Sequence, residues 1–226
     1  MDHYPSRNGI CIIFNHYKFE KTVPDRLGTE KDVAALEAFF KSLNYDVHIY
    51  HDLETKGITL DKLALLKEKD YSHYDAFVMC LLTHDANNGM IWAKEDKYPI
   101  SLIYGTFTDD QCPSLSGKPK VFFVQADISD QCRPGFNFIN FNKPDFFIAR
   151  MHSTGSHSNC QQDGGSLFIQ CLVKVLMQYS KSLDLTTMLT MVNTLLMQGY
   201  GNIYSCEHLV MIVSTLTKSL LFTSGN

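Results

Sequence analysis

Residues 76–82 have the sequence AFVMCLL, seven apolar residues in a row. Such a run is typical of a strand that is buried on both faces of a parallel sheet. Similar runs stand at residues 10–14, 121–124 and 146–149. Each run is long enough for a strand and far shorter than the roughly 20 apolar residues of a membrane span. These runs predict a sheet whose two faces are both covered.

Helical patterns separate these runs along the chain. Residues 29–43 and 59–66 carry apolar side chains at helical spacing, with Thr29 and Thr59 as predicted N-caps. Further helices are predicted within 98–108, 168–179 and 185–196, and further strands at 45–50 and 209–213. Strands that alternate with helices imply right-handed crossovers. We therefore predict a doubly wound α/β fold, with a mostly parallel six-stranded sheet and helices on both faces.

Composition excludes several classes of partner. The 20 Lys and Arg against 24 Asp and Glu give a net charge of −4, and the basic residues form no stripe that would bind nucleic acid. The N-terminus has no signal-peptide pattern, so we expect no membrane partner and a cytoplasmic protein. Seven cysteines without a CxxC pair favour reduced thiols over disulfides or a zinc ribbon.

Polar side chains that follow two of the buried runs mark the expected site. In doubly wound sheets, functional groups gather beyond the carboxyl ends of the strands. Thr83, His84 and Asp85 follow the run at 76–82, and residues 125–127 follow the run at 121–124. We expect the chemistry of the protein at these positions.

Several motifs make the chain resemble the caspases, cysteine proteases that cut after aspartate. The motifs are RLGTEKD at 26–32, Thr83-His84, DDQCPSLSGKPKVFFVQA at 109–126, Ser153-Thr154, GSLFIQ at 165–170 and IVSTLTK at 212–218. The resemblance implies a large-subunit-like part at 1–128, a short linker at 129–144 and a small-subunit-like part at 145–226. It also implies one compact domain without a prodomain, as in executioner-like caspases.

The nucleophile position departs from the family pattern. Caspases carry their cysteine after Gln-Ala, about 50 residues beyond the catalytic histidine. Here Asp127 follows Gln125-Ala126 and stands 127 − 84 = 43 residues beyond His84. A carboxylate attacks an amide poorly and repels a developing oxyanion. Asp85 also replaces the glycine of the family's oxyanion site. From these departures we predict a catalytically dead caspase homologue that is not an enzyme, with a vestigial His84.

The pocket for the substrate aspartate departs as well. The resemblance assigns Arg26, Gln125 and residue 160 to this pocket, and residue 160 is a cysteine in place of the second arginine. A neutral thiol cannot bind a carboxylate through two parallel hydrogen bonds as arginine does. The remnant would keep one of its two cations, and Arg26 is predicted to neutralise Asp127.

Metal binding and a replacement nucleophile are the other chemistries that these residues could support. A metal bound by His84, Asp85 and Asp127, or by His152, His157 and Cys160, is chemically feasible, but such clusters more often form ion pairs. Cys132 and Cys160 have no expected geometry with His84 that would make them a replacement nucleophile. We expect no metal and no cofactor.

The last predicted strand points to a partner. The resemblance places Leu209, Val210, Met211, Ile212 and Val213 in the edge strand through which two caspase sheets pair. We predict a regulator of apoptosis-type proteolysis that pairs with a catalytic caspase, or with itself, and modulates it. Activation is favoured because a neighbouring subunit orders caspase active-site loops. A decoy that sequesters caspase substrates or inhibitors, and a hydrolase with another nucleophile around His84, are the alternatives.

Overall fold

The computed structural model describes residues 2–20, 23–53, 56–127, 142–154, 164–200 and 207–223. No helix in these ranges is long and apolar enough to cross a membrane. In chain order the elements are β1 (Gly9–Asn15), α1 (Thr29–Ser42), β2 (Asp46–His51), α2 (Lys56–Lys67), β3 (Ala76–His84), β4 (Met90–Trp92), β5 (Lys97–Pro99), α3 (Ser101–Thr106), β6 (Lys120–Asp127), β7 (Phe146–Thr154), α4 (Leu167–Tyr179), α5 (Leu185–Tyr200) and β8 (Glu207–Ser214).

Six of the strands form one sheet in the order β2-β1-β3-β6-β7-β8. Neighbouring strands are parallel from β2 to β7, and only β8 runs antiparallel to its neighbour β7. β4 and β5 form a separate antiparallel hairpin. The predicted doubly wound, mostly parallel six-stranded sheet is confirmed.

Helices cover both faces of the sheet. The first core, which includes Leu36, Phe40, Leu172 and Val192, lies under α1, α4 and α5. The second core, which includes Leu63, Ile103, Tyr104 and Ile91, lies under α2, α3 and the hairpin. Successive residues of a strand alternate between the two cores because strand side chains point to opposite faces. Both faces are apolar, which explains the uninterrupted apolar runs of the sequence.

Two predicted helix starts differ in the structure. Thr29 is the first residue of α1, and Gly28 stands at the N-cap with a φ of 81°. The Thr29 hydroxyl does not cap the helix because it donates to Asn15 Oδ1 at 2.7 Å. The second helix begins at Lys56, about one turn before the predicted cap Thr59.

The predicted linker, residues 129–144, lies outside the described residues except for its last three positions. The division into a large-subunit-like and a small-subunit-like part therefore stays a prediction. On either side of this segment, β6 and β7 are neighbours in the sheet.

Candidate functional site

The candidate site lies at the carboxyl ends of β3 and β6. His84 is the last residue of β3 and Asp127 is the last residue of β6, and the parallel register pairs these two positions. Adjacent strands are about 4.8 Å apart, so the two backbones are close neighbours. The structure therefore brings both predicted positions together. The Asp127 side chain is not among those that the structure describes, and neither is its predicted contact with Arg26.

The His84 ring is buried and held in one orientation. Its Nε2 lies 2.8 Å from the Pro24 carbonyl oxygen, and the Phe19 ring packs on it with centroids 4.7 Å apart. Because a carbonyl oxygen only accepts hydrogen bonds, Nε2 carries a proton and donates it. In the neutral ring, Nδ1 is then the acceptor nitrogen. This arrangement is suited to taking up a proton at Nδ1.

The Asp85 carboxylate is bound by other groups of the protein. It forms an ion pair with Arg150 Nη2, and it accepts a hydrogen bond of 2.7 Å from the Asn87 backbone N–H. Arg150 lies on β7, beside Val124 of β6. The charge that the sequence placed next to the oxyanion position is thus compensated by an arginine that sequence reasoning did not single out.

Arg26 is sealed inside the protein. It is 0% exposed, and its Nη1 donates to Thr29 Oγ1 at 2.8 Å. Gln125 is buried as well. A substrate carboxylate would reach this guanidinium only after a rearrangement of the groups around it. Cys160, the third predicted pocket residue, lies outside the described residues.

Asp32 joins two of the sequence motifs. Its Oδ1 accepts hydrogen bonds of 2.8 Å from the Ser166 backbone N–H and from Gln170 Nε2. Burial raises the pKa of the Asp32 carboxyl, while these donors and the charge of Arg26 act to lower it. The 26–32 motif thereby holds the start of α4, directly after the segment that contains residue 160.

His16 is a buried polar residue that the sequence interpretation did not consider. Neither ring nitrogen has a hydrogen-bond partner among the described residues. Burial lowers its pKa to about 4, a shift that Asp52 opposes and Arg26 reinforces. The sequence signal that could have identified His16 is its position directly after β1, at the carboxyl edge of the sheet.

No group of three or more His, Cys, Asp or Glu side chains in the described part of the chain is placed to hold a metal ion. The two chemically feasible metal sets depend on the side chains of Asp127 and His152 and on His157 and Cys160, which are not among those described. Cys132 also lies outside the described residues.

The family model described as "Caspase domain" matches residues 8–221. The chain belongs to the caspase family. Caspase-3 of Xenopus laevis is 30% identical over 231 residues, which cover 97% of this chain and 81% of the relative. Caspase drICE of Drosophila melanogaster is 34% identical over 200 residues, which cover 81% of this chain and 58% of the relative. The crystal structure of caspase-1 from Spodoptera frugiperda superposes with a TM-score of 0.82 at 29% identity, covering 99% of this chain and 92% of that one.

These relatives contradict the prediction that the chain is not an enzyme. They are 30–34% identical to it and are named caspases, and the match runs through nearly the whole chain. The prediction rested on the side chains of Asp127 and Asp85. The structure also weakens its physical basis, because Arg150 neutralises the Asp85 carboxylate. The narrower prediction of a catalytically dead caspase finds no support in the relatives.

Proposed function

We propose that this member of the caspase family acts in caspase-dependent proteolysis as a pairing partner. It joins a caspase, or a second copy of itself, along β8 and raises the activity of the caspase it joins. The observation that supports this proposal is the outer edge of β8, where residues 209–213 are uncharged and no neighbouring strand lies in the described part of the chain.

Two hydrogen bonds of Thr215, the residue after β8, show which backbone groups of the strand face β7 and which face the outer edge. The Thr215 N–H donates to the Phe146 carbonyl at 2.8 Å, and the Thr215 carbonyl accepts from the Asp145 N–H at 3.0 Å. Odd-numbered positions of β8 therefore direct their backbone groups toward β7. Even-numbered positions, among them Ile212 and Ser214, direct theirs away from β7, because successive residues of a strand alternate.

The two edges of the sheet differ in chemistry. At the β2 edge, Asp46 is bound by His48 at 2.9 Å and by the Tyr74 hydroxyl at 2.8 Å. Residues 209–213 of β8 include neither a charged residue nor a proline. Charges protect an edge strand from pairing, whereas an uncharged edge without proline favours it. A second caspase fold presents an equivalent strand, so two such edges would satisfy each other's backbone groups.

The pairing is tested by sedimentation velocity of the chain and by its co-purification with an active caspase. Ile212→Pro removes an N–H that faces the outer edge and leaves the hydrogen bonds to β7 in place. Ile212→Val is the matched control. Val210 is unsuited to this test because it is 3% exposed and belongs to the first core.

We expect the unmodified chain and Ile212→Val to pair, and we expect Ile212→Pro to remain monomeric with an unchanged near-UV circular dichroism spectrum. Equal pairing by a folded Ile212→Pro variant would contradict the proposal. So would an unmodified chain that neither self-associates nor binds a caspase.

A second candidate is hydrolysis at His84. It is favoured by the fixed orientation of the ring on the Pro24 carbonyl. It predicts that the purified chain hydrolyses aspartyl peptides by itself and loses this turnover in His84→Ala. Turnover that survives His84→Ala at the same rate would rule it out.

A further inference from the structure

We propose that Asn193 of α5 determines the register in which β8 pairs with a second copy of the chain. This inference rests on the proposed function, since a register exists only if β8 pairs. The occupant is a second copy because the edge groups of β8 are complementary to themselves in an antiparallel arrangement.

The Asn193 side chain occupies part of the outer edge of β8. Its Nδ2 donates to the Val210 carbonyl at 3.0 Å, and its Oδ1 accepts from the Val210 N–H at 2.7 Å. A residue of a pairing strand would use the same two groups with the same donor and acceptor pattern. The amide therefore takes the place of a partner strand at Val210. A partner strand cannot bind Val210 while the amide is there.

The helix that carries Asn193 is anchored on both sides of it. Val192 and Leu196 are buried and belong to the first core. Moving the amide off Val210 requires a side-chain rotation that breaks both hydrogen bonds, because the packed helix cannot withdraw. The open positions of the edge are consequently Ile212 and Ser214 on one side of Val210, and His208 alone on the other.

Twofold symmetry restricts how these open positions pair, because if one residue opposes a second, the second opposes the first. With the axis at Val213, each Ile212 opposes the Ser214 of the other copy. Two hydrogen-bonded pairs with two bonds each then give about four bonds. Val210 would oppose Leu216 of the other copy, which lies beyond the end of the strand at Ser214, so Asn193 keeps its place. An axis at Ile212 or at Met211 brings a partner strand onto Val210 and requires Asn193 to leave. The geometry therefore selects the axis at Val213.

Cysteine cross-linking distinguishes these registers. At an axis between strands, a residue opposes its own copy with Cα atoms about 4.5–5.5 Å apart, which is within disulfide range. Val213→Cys, Met211→Cys and Ile212→Cys are oxidised under mild conditions and separated without reductant. The unmodified chain, with its seven native cysteines, is the control.

We expect Val213→Cys to form the covalent dimer at least about tenfold faster than the other two variants. Adding Asn193→Ala to Met211→Cys should raise its cross-linking, because Val210 becomes open to a partner strand. If Asn193→Ala does not fold, the three single variants still decide the register.

The outcomes separate the two proposals. Cross-linking at Met211→Cys or Ile212→Cys that equals or exceeds that at Val213→Cys overturns the register while β8 pairing stands. An unmodified chain that remains monomeric in sedimentation overturns the register while pairing with a caspase still stands, and a chain that also binds no caspase overturns the pairing as well.

Discussion

His16, Arg26 and Asp32 are all buried, and the charge of Arg26 acts on both His16 and Asp32. Burial lowers the pKa of His16 and raises the pKa of Asp32, and the positive charge of Arg26 acts to lower both. This charge therefore disfavours a proton on the imidazole and favours the ionised carboxylate. Because the pKa values of His16 and Asp32 are shifted in the folded chain, the stability of the fold depends on pH.

His16 is expected to make the protein less stable in mild acid. Its pKa is about 4 in the folded chain, against 6.5 for an unperturbed histidine. Between these values the unfolded chain binds a proton that the folded chain excludes, so the free energy of unfolding falls as the pH is lowered from 7 to 4. A fully buried group with this shift contributes about 3 kcal/mol to that fall.

Urea unfolding at several pH values measures this effect. His16→Phe should flatten the dependence between pH 7 and 4, because neither ring nitrogen has a described hydrogen-bond partner to lose. The exposed residue His73 provides the control variant His73→Asn, which should keep the full dependence. Identical slopes for His16→Phe and the unmodified chain would contradict the prediction.

The residue types at the site were readable from the sequence, but their contacts were not. His84, Asp85, Gln125 and Asp127 follow apolar runs, which is why the strand ends were predicted as the site. Arg150 lies 65 positions beyond Asp85, and the two meet only because the sheet order brings β7 near the end of β3. Sequence patterns among neighbouring residues cannot predict a contact between two residues so far apart in the chain.

At the scale of elements, the start of α4 is held against α1 through Asp32. Gly165, which precedes α4, has a φ of +90°. A Cβ at this position would lie 2.5 Å from Asp32 Oδ1 and 2.6 Å from Gln170 Nε2. Both the backbone conformation and the close approach therefore require glycine.

Gly165→Ala is expected to lower the free energy of unfolding by more than a change in backbone preference alone. Gly117→Ala is the matched control, since Gly117 also has a positive φ, of 70°, but a Cβ there meets nothing within 4 Å. The control should lose about 1–2 kcal/mol, and Gly165→Ala should lose clearly more because it also displaces the hydrogen bonds to Asp32. Equal losses in thermal or urea unfolding would show that the close contact relaxes without cost.

The sequence predicted the elements that have long patterns and missed those that do not. Apolar runs located β1, β3, β6 and β7, since strands buried on both faces leave no polar interruption. The β4–β5 hairpin was missed because strands of three residues are too short to show a period. The role of Thr29 was also misjudged, because its hydroxyl is bound to Asn15 across the fold.

At the scale of the whole molecule, Tyr4 and Thr217, which are far apart in the sequence, meet at the start of β7. The Tyr4 hydroxyl donates to Asp145 Oδ1 at 2.5 Å, and the Thr217 hydroxyl donates to the same oxygen at 2.8 Å. The Asp145 carbonyl accepts from the Lys120 N–H at 2.8 Å. Asp145 is thus buried where the predicted linker enters the sheet.

Asp145 is therefore expected to resist cleavage by an active caspase. A protease needs an extended, exposed segment, and this peptide bond becomes accessible only when the surrounding structure opens. Mass spectrometry of the digested chain should find the bond after Asp145 intact. The double variant Tyr4→Phe with Thr217→Val, which lacks both donors to the carboxylate, should be cut there faster. Equally rapid cleavage of the unmodified chain after Asp145 would contradict this account.

The proposed function is tested most directly by titrating an active caspase with this chain and measuring hydrolysis of an aspartyl peptide. The rate of the chain alone is subtracted at each concentration. We expect the caspase rate to rise to saturation with the unmodified chain and with Ile212→Val, and to stay at its starting value with Ile212→Pro. A caspase rate that is unchanged or lowered by the unmodified chain, or raised equally by Ile212→Pro, would contradict activation through β8.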